Sequence, residues 1–212
     1  MLLNRLLLLL TLLLAAPAAA QEFPKLTGRV VDNANLLSPA DEAALTGKLE
    51  ALEQASSRQL VVATVPSLQG YEIEDYGYRL GRAWGIGQSE ANNGAILLVA
   101  PNERKVRIEV GYGLEPILTD AFSSVIINQT ILPRFRQGDY PGGISAGADE
   151  IIEQLQAPPE QAERRALEAA AQQQARDSGD GGSVFPLIFW GMVLLFVILP
   201  MMRGGRRGRR YR

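Results

Sequence analysis

Residues 94–111 read GAILLVAPNERKVRIEVG, and the fold turns on how this stretch is read. From Gly94 to Ala100 the run is apolar without interruption, the composition of a strand buried on both faces. Pro101, Asn102, Glu103 and Arg104 then supply turn chemistry. Residues 105–111 alternate strictly, with Val106, Ile108 and Val110 on one face and Glu109 on the polar one. The spacing predicts an antiparallel hairpin.

Working outward, residues 59–65 (QLVVATV) form a second apolar strand stopped by Pro66. Between the two strands, Ile73, Tyr76, Leu80 and Trp84 recur at helical spacing until Gly85-Ile86-Gly87, and a polar loop covers residues 88–93. Upstream, Ser38-Pro39-Ala40-Asp41 gives an N-cap, a proline at the first helical position and an acid in the first turn, and Leu45, Leu49 and Leu52 continue the helix. Residues 27–35 (TGRVVDNAN) read as extended and turn-like. Downstream, a helix is predicted from about residue 120, carrying Phe122, Val125, Ile126, Leu132 and Phe135 and bent or ended near Pro133. Another follows over about residues 144–155. This order predicts an α/β domain, a three-layer α/β/α sandwich with a small mixed sheet, parallel at its first pairing and antiparallel at the hairpin.

The two ends have different chemistry. Residues 1–20 read as an export signal: Arg5 is the positive start, residues 6–16 are the apolar stretch, and Ala18-Ala19-Ala20 offers small residues before a cleavage that leaves Gln21 first. Residues 184–202 (VFPLIFWGMVLLFVILPMM) carry no charge and match the roughly 20 residues that cross a hydrocarbon core. A transmembrane helix is therefore expected there. Six Arg crowd residues 203–212, so this tail should stay cytoplasmic and the preceding chain should lie in the periplasm or outside the cell, on a single-pass protein of the inner (cell) membrane. Trp190, Arg203, Arg206 and Arg207 are the expected membrane-anchoring residues. Residues 157–183, rich in Ala, Gln, Glu and Arg and then in Gly and Ser, read as a polar, partly helical linker to a domain spanning residues 21–156.

Composition narrows the chemistry. The chain has 212 residues and no His or Cys. Ser-His-Asp and Cys-His catalysis, disulfides and N/S-ligated zinc or copper sites are all excluded. Of its 21 basic side chains, Arg5 and the six tail Arg belong to the ends; the remaining 14 face 23 acids, so the exported part has a formal charge of −9. Such a surface disfavours nucleic acid and suits divalent cations or basic partner surfaces.

Several stretches together resemble the TPM-domain family of exported domains, some of them in the thylakoid lumen and linked to photosystem repair, often tethered by one C-terminal membrane helix. They are Val31-Asp32 before Leu36-Leu37-Ser38, residues 59–65, Trp84-Gly85-Ile86-Gly87, Asn93-Gly94, Val110-Gly111-Tyr112-Gly113-Leu114-Glu115, Asp120, and Leu132-Pro133 with Phe135. The resemblance covers roughly residues 28–155. It implies an α/β/α sandwich, divalent-cation binding in some members and phosphatase activity claimed for some, without one biochemical function for all.

In a hairpin, the start of the first strand and the end of the second share one sheet edge, which gathers Asn93 with Gly111-Tyr112-Gly113 and Glu115. Asp32 lies in a loop that is free to approach this edge or not. Asp32, Asn93, Glu115 and Asp120 are accordingly the candidate ligands of a hard cation, Ca2+ or Mg2+, which takes oxygen donors. Each has a plainer reading: Asp120 after Thr119 serves equally as a helix-terminal acid, Asp32 as a turn former, Glu115 and Glu109 as solvated acids. Gly143-Ile144-Ser145-Ala146-Gly147 matches a nucleophile pattern, but without a His base it reads as a chance match. No catalytic residue is assigned. The functional expectation is an interaction module with a membrane-protein partner, for assembly, repair or quality control; the alternative is a metal-assisted phosphomonoesterase of low activity. Oligomeric state has no signature in the sequence.

Overall fold

Strand β3 (Gly94–Ala100) is buried along its whole length and lies inside a four-stranded sheet, the arrangement its unbroken apolar run requires. It pairs in parallel with β2 (Gln59–Thr64), Gln59 opposite Gly94, and antiparallel with β4 (Lys105–Val110), Ala95 opposite Val110. A three-residue strand β1 (Val30–Asp32) completes the order β1-β2-β3-β4, parallel to β2 with Asp32 opposite Thr64. β1 falls in the stretch read as extended and turn-like. It is too short for alternation to mark it, and only the edge of β2 defines it as a strand. The structure is a computed structural model that describes residues 22–88, 90–181, 190 and 192–198.

Helices cover both faces. On one, α1 (Pro39–Ser56) brings Leu45, Leu49 and Leu52 onto Leu60, Val62, Leu97 and Ile108. On the other, α2 (Ile73–Trp84) brings Ile73, Tyr76 and Leu80 onto Ala63, Ile96 and Leu98. Alternation along β3 thus feeds two cores from one strand. Helix α1 begins with the predicted cap: Ser38 Oγ accepts from the Asp41 amide (3.2 Å) and the Asp41 carboxylate accepts from the Ser38 amide (3.2 Å).

After a single 3-10 turn (Tyr112–Leu114), α3 (Asp120–Val125) passes into a π-helical turn (Ile126–Ile131) and then α4 (Leu132–Arg136). The predicted disturbance at Pro133 takes this form. Proline lacks an N–H and its ring crowds the carbonyl four residues earlier, and the widened turn, closed by the Leu132 amide donating to Ile127 O, relieves that conflict. Helix α5 (Tyr140–Gln156) starts earlier than expected, because Asp139 accepts from the Gly142 amide (2.9 Å) and makes Tyr140-Pro141-Gly142-Gly143 its first turn. Gly143 and Gly147 then face Phe135 and Ile131, where a Cβ would come within 2.5 Å of each side chain. The apparent nucleophile pattern is therefore a helix-packing contact.

Helix α6 (Pro159–Gly181) occupies most of the stretch read as a polar, partly helical linker. The domain runs past residue 156 to Ala166, since Ala162 lies fully buried in the core with α1 and α5, and Gln154 Nε2 donates to Ile117 O (2.6 Å) and Ala162 O (2.9 Å). The remainder, Leu167–Arg212, is a separate unit whose described part holds the rest of α6 and a π-helical turn, Leu194–Ile198. Among the described residues no helix is long and apolar enough to cross a membrane. The export signal and the Arg-rich tail lie outside the described residues, as does most of the expected span at 184–202.

Candidate binding cleft

The N-terminal end of β3 is built by close backbone packing. Gly87 has φ +91°, and a Cβ there would stand 2.6 Å from the Gly94 amide nitrogen. Gly113 passes so near Ala91 O that only a hydrogen fits, and its amide donates to Asn92 O (3.1 Å). Trp84-Gly85-Ile86-Gly87, Asn93-Gly94 and Gly111-Tyr112-Gly113 therefore meet as three strands of bare backbone. Asn93 fastens them: its Oδ1 accepts from the Gln88 amide (2.8 Å) and its Nδ2 donates to Ser57 O (2.7 Å).

Above this floor opens a cleft of about 800 Å³, bounded by the C-terminal end of α2, the 85–94 loop, the end of β4 and the 3-10 turn. That volume is in the range of small-molecule pockets, about 300–1,000 Å³. Tyr78 and Tyr112 stand at its sides, 53% and 77% exposed. Arg82 Nη1 donates to Tyr78 Oη (2.9 Å) with its guanidinium 5.7 Å from the ring centre, and this hydrogen bond raises the Arg82 pKa above its ordinary value. Glu109 and Glu115 supply the acid. Glu109 is not the solvated acid its place on the polar face of β4 suggested. Its side chain is 18% exposed, packed where α2 has Gly77, and it accepts from Arg107 Nε (2.7 Å). Among the described residues the lining has no Ser, Thr, Lys or Asp, and those residues offer hydrogen bonds, charge and aromatic surface.

The four candidate cation ligands are not brought together. Asp32 is at the C-terminal end of β1, beside Thr64 and one strand from Val99, whereas Asn93 and Glu115 lie at the opposite end of the sheet, next to Gly94. The separation follows from β1 being parallel to β2, which fixes Asp32 at the far end. There its carboxylate accepts from the Leu36 (3.1 Å) and Leu37 (2.8 Å) amides and from the Thr64 hydroxyl. It pins the β1–α1 connection. Asn93 has both ends of its amide engaged in the loop. Asp120 follows the cap residue Thr119, whose Oγ1 accepts from the Phe122 amide (3.2 Å), and it is the acid of the first turn of α3. Asp120 and Glu115 do line one small cleft with Glu109, but Arg107 already provides the positive charge there. Among the described residues no group of three or more such side chains is placed to hold a metal ion, and Asp32 does not join Asn93 and Glu115 in one site.

The staple role of Asp32 gives a direct expectation. Asp32→Ala should lower unfolding stability by about 2 kcal/mol with an unchanged denaturant slope, the scale of hydrogen bonds to a charged acceptor. A urea midpoint equal to wild type would remove that role.

The cleft's side chains Tyr78 and Arg82 were not singled out from sequence. One signal was present: Tyr78 and Arg82 are four apart on the face of α2 opposite Ile73, Tyr76 and Leu80.

Comparison with known proteins agrees with this architecture. The family model described as TPM domain matches residues 30–154. The solution NMR structure of the N-terminal domain of a protein from P. gingivalis is similar at 39% identity with TM-score 0.57, covering 61% of this chain and 82% of that one. The NMR structure of the BA42 protein from the psychrophilic Bizionia argentinensis is 19% identical with TM-score 0.50, covering 56% of this chain and 81% of that one, a likeness of fold alone. No curated protein matches. With the family model spanning more than half of its length, the chain belongs to the TPM domain family.

Proposed function

We propose that this protein is a membrane-tethered, exported interaction module, with the 800 Å³ cleft as the place where an extended segment of a membrane-protein partner docks during assembly, repair or quality control. One observation carries the reading: two largely exposed tyrosines, with Arg82, flank an acid-bearing cleft. Tyr and Arg are the residue types that dominate binding energy at interfaces. Glu109, Glu115 and the −9 charge of the exported part favour a basic segment.

Two observations support the topology. Phe23 packs edge-on against Tyr76 (5.3 Å between ring centres) and Trp84 Nε1 donates to Pro24 O (2.8 Å), so the chain that follows the expected cleavage before Gln21 is held by the domain. In the second unit, Trp190, Met192, Leu194, Leu195 and Phe196 are all exposed, which is costly in water and expected of a lipid-facing segment. A divalent cation stays outside this reading, because Asp32 and Asn93 are engaged elsewhere and Glu109, beside Glu115 and Asp120, is already paired with Arg107.

The test is photo-crosslinking in intact cells from position 112, with position 43 on the exposed face of α1 as control, and mass spectrometry of the joined peptides. Adducts specific to position 112 that map to an exported, basic loop of an integral membrane protein are expected. Identical adducts from both positions would overturn the docking assignment. Divalent-dependent hydrolysis of an aryl phosphate, lost in Glu115→Gln, would replace it by the phosphomonoesterase alternative.

A further inference from the structure

A second cleft, of about 530 Å³, lies at the other end of the sheet, where β3 ends and the hairpin turn meets α4 and the start of α5. Its floor is apolar: Val99, Leu132 and Phe135, with the Tyr140 ring against Phe135, centres 4.8 Å apart and planes tilted by 37°. Its cations are Arg104, Lys105 and Arg136, and no carboxylate lines it. That is unusual on a surface of net charge −9. Elsewhere in the domain the cations are mostly engaged: Arg29 with Glu50 and Glu53, Lys48 with Asp149, Arg79 with Asp75, Arg107 with Glu109. Lys105 pairs with Glu72. Among the described residues, the guanidinium groups of Arg104 and Arg136 have no hydrogen-bond or ion-pair partner. Arg104 also has φ +55°, a left-handed conformation that Asn or Gly would adopt at less cost, yet an arginine stands there.

Two unpaired guanidinium groups over an aromatic and aliphatic floor select a ligand with two parts. The charged part is an oxyanion that a planar fork of donors can grip. The other part is one apolar group of the size of a single side chain, because the volume must hold both. We infer that this cleft binds a carboxylate carrying a short apolar group, the chemistry shared by a short-chain fatty acid and by the C-terminal residue of a polypeptide. The site is at the opposite end of the sheet from the tyrosine cleft and goes beyond the docking role proposed for it. It has no part in a bond-breaking step.

The experiment uses the full chain and follows its thermal unfolding and heat of binding with four probes: N-acetyl-phenylalanine, its uncharged amide, hexanoate and acetate. Saturable binding of the first or third is expected, with the amide and acetate at least tenfold weaker. A preference for N-acetyl-phenylalanine identifies a chain terminus and a preference for hexanoate a fatty acid. Arg104→Gln and Arg136→Gln should each weaken binding about tenfold while leaving the ligand-free melt unchanged, as both side chains are exposed. Arg79→Gln, on α2, should bind as wild type. The inference is overturned if the amide binds as well as the acid, if acetate binds as well as hexanoate, if neither Arg variant changes affinity, or if no probe saturates by 10 mM, which is about −2.7 kcal/mol of binding on the scale where 1 mM is −4.1.

Discussion

Leu97→Asp and Leu98→Asp should each abolish the cooperative melt of the domain, and Leu97→Asp should do so more completely. Both leucines are fully buried in β3, but alternation sends them to opposite cores. Leu97 lies between Val62 and Ile108 under α1 and α5, and no polar side chain is in register with it. Removing its packing alone costs about 2–5 kcal/mol, and an unpaired buried charge adds several more, against a total stability of about 5–15 kcal/mol. Leu98 is opposite Arg107, whose guanidinium is within reach of the same sheet face, so an aspartate there has a cation to turn to. The measurement is far-UV circular dichroism during heating, with Leu97→Ala as the control that should remain folded at reduced stability. A native-like melt in both Asp variants would remove β3 from the centre of the sheet.

How much of this was legible in the sequence divides by contact range. β2, β3 and β4 were readable because apolar runs and alternation are local, and α1 because Ser38 and Asp41 form their cap within one turn. β1 was not, because three residues in a turn-like stretch become a strand only beside β2. The same pairing decided Asp32. From sequence it was free to join Asn93 and Glu115; the parallel register puts it at the other end of the sheet, in a loop-closing role. Glu109 was assigned to the right face, yet its burial depends on Gly77, thirty-two positions earlier, leaving room on α2. The Gly143 and Gly147 spacing imitated a catalytic pattern because helix packing and nucleophile turns both require missing side chains. The basic cleft joins residues 99–105 to residues 132–140, and no local pattern announces such a meeting.

Gly94→Ala should destabilise the domain by about 3 kcal/mol, near the upper end of overpacking costs, although alanine is the smallest change available. Its methyl would lie 2.6 Å from the Gly87 amide nitrogen and 2.7 Å from the Ile86 carbonyl carbon, both backbone atoms. A flexible side chain would swing aside; this backbone is held. The Gly87 amide donates to Gln59 Oε1 (2.7 Å), the Gln88 amide to Asn93 Oδ1 (2.8 Å), and the Gln59 amide to Asn93 O (3.0 Å). Moving the 85–88 segment breaks these bonds, and moving Gly94 strains its pairing with β2 and β4. Gly47→Ala is the matched control: on α1, nothing lies within 4 Å of the added methyl, and the change should stabilise by about 0.5–1 kcal/mol through helix propensity. Urea midpoints of the two variants should therefore move in opposite directions. Because the displaced loop forms one wall of the tyrosine cleft, Gly94→Ala should also lose the crosslinks from position 112 at temperatures where the variant is still folded. Retention of both the wild-type midpoint and those crosslinks would mean that the glycine contacts do not shape the cleft.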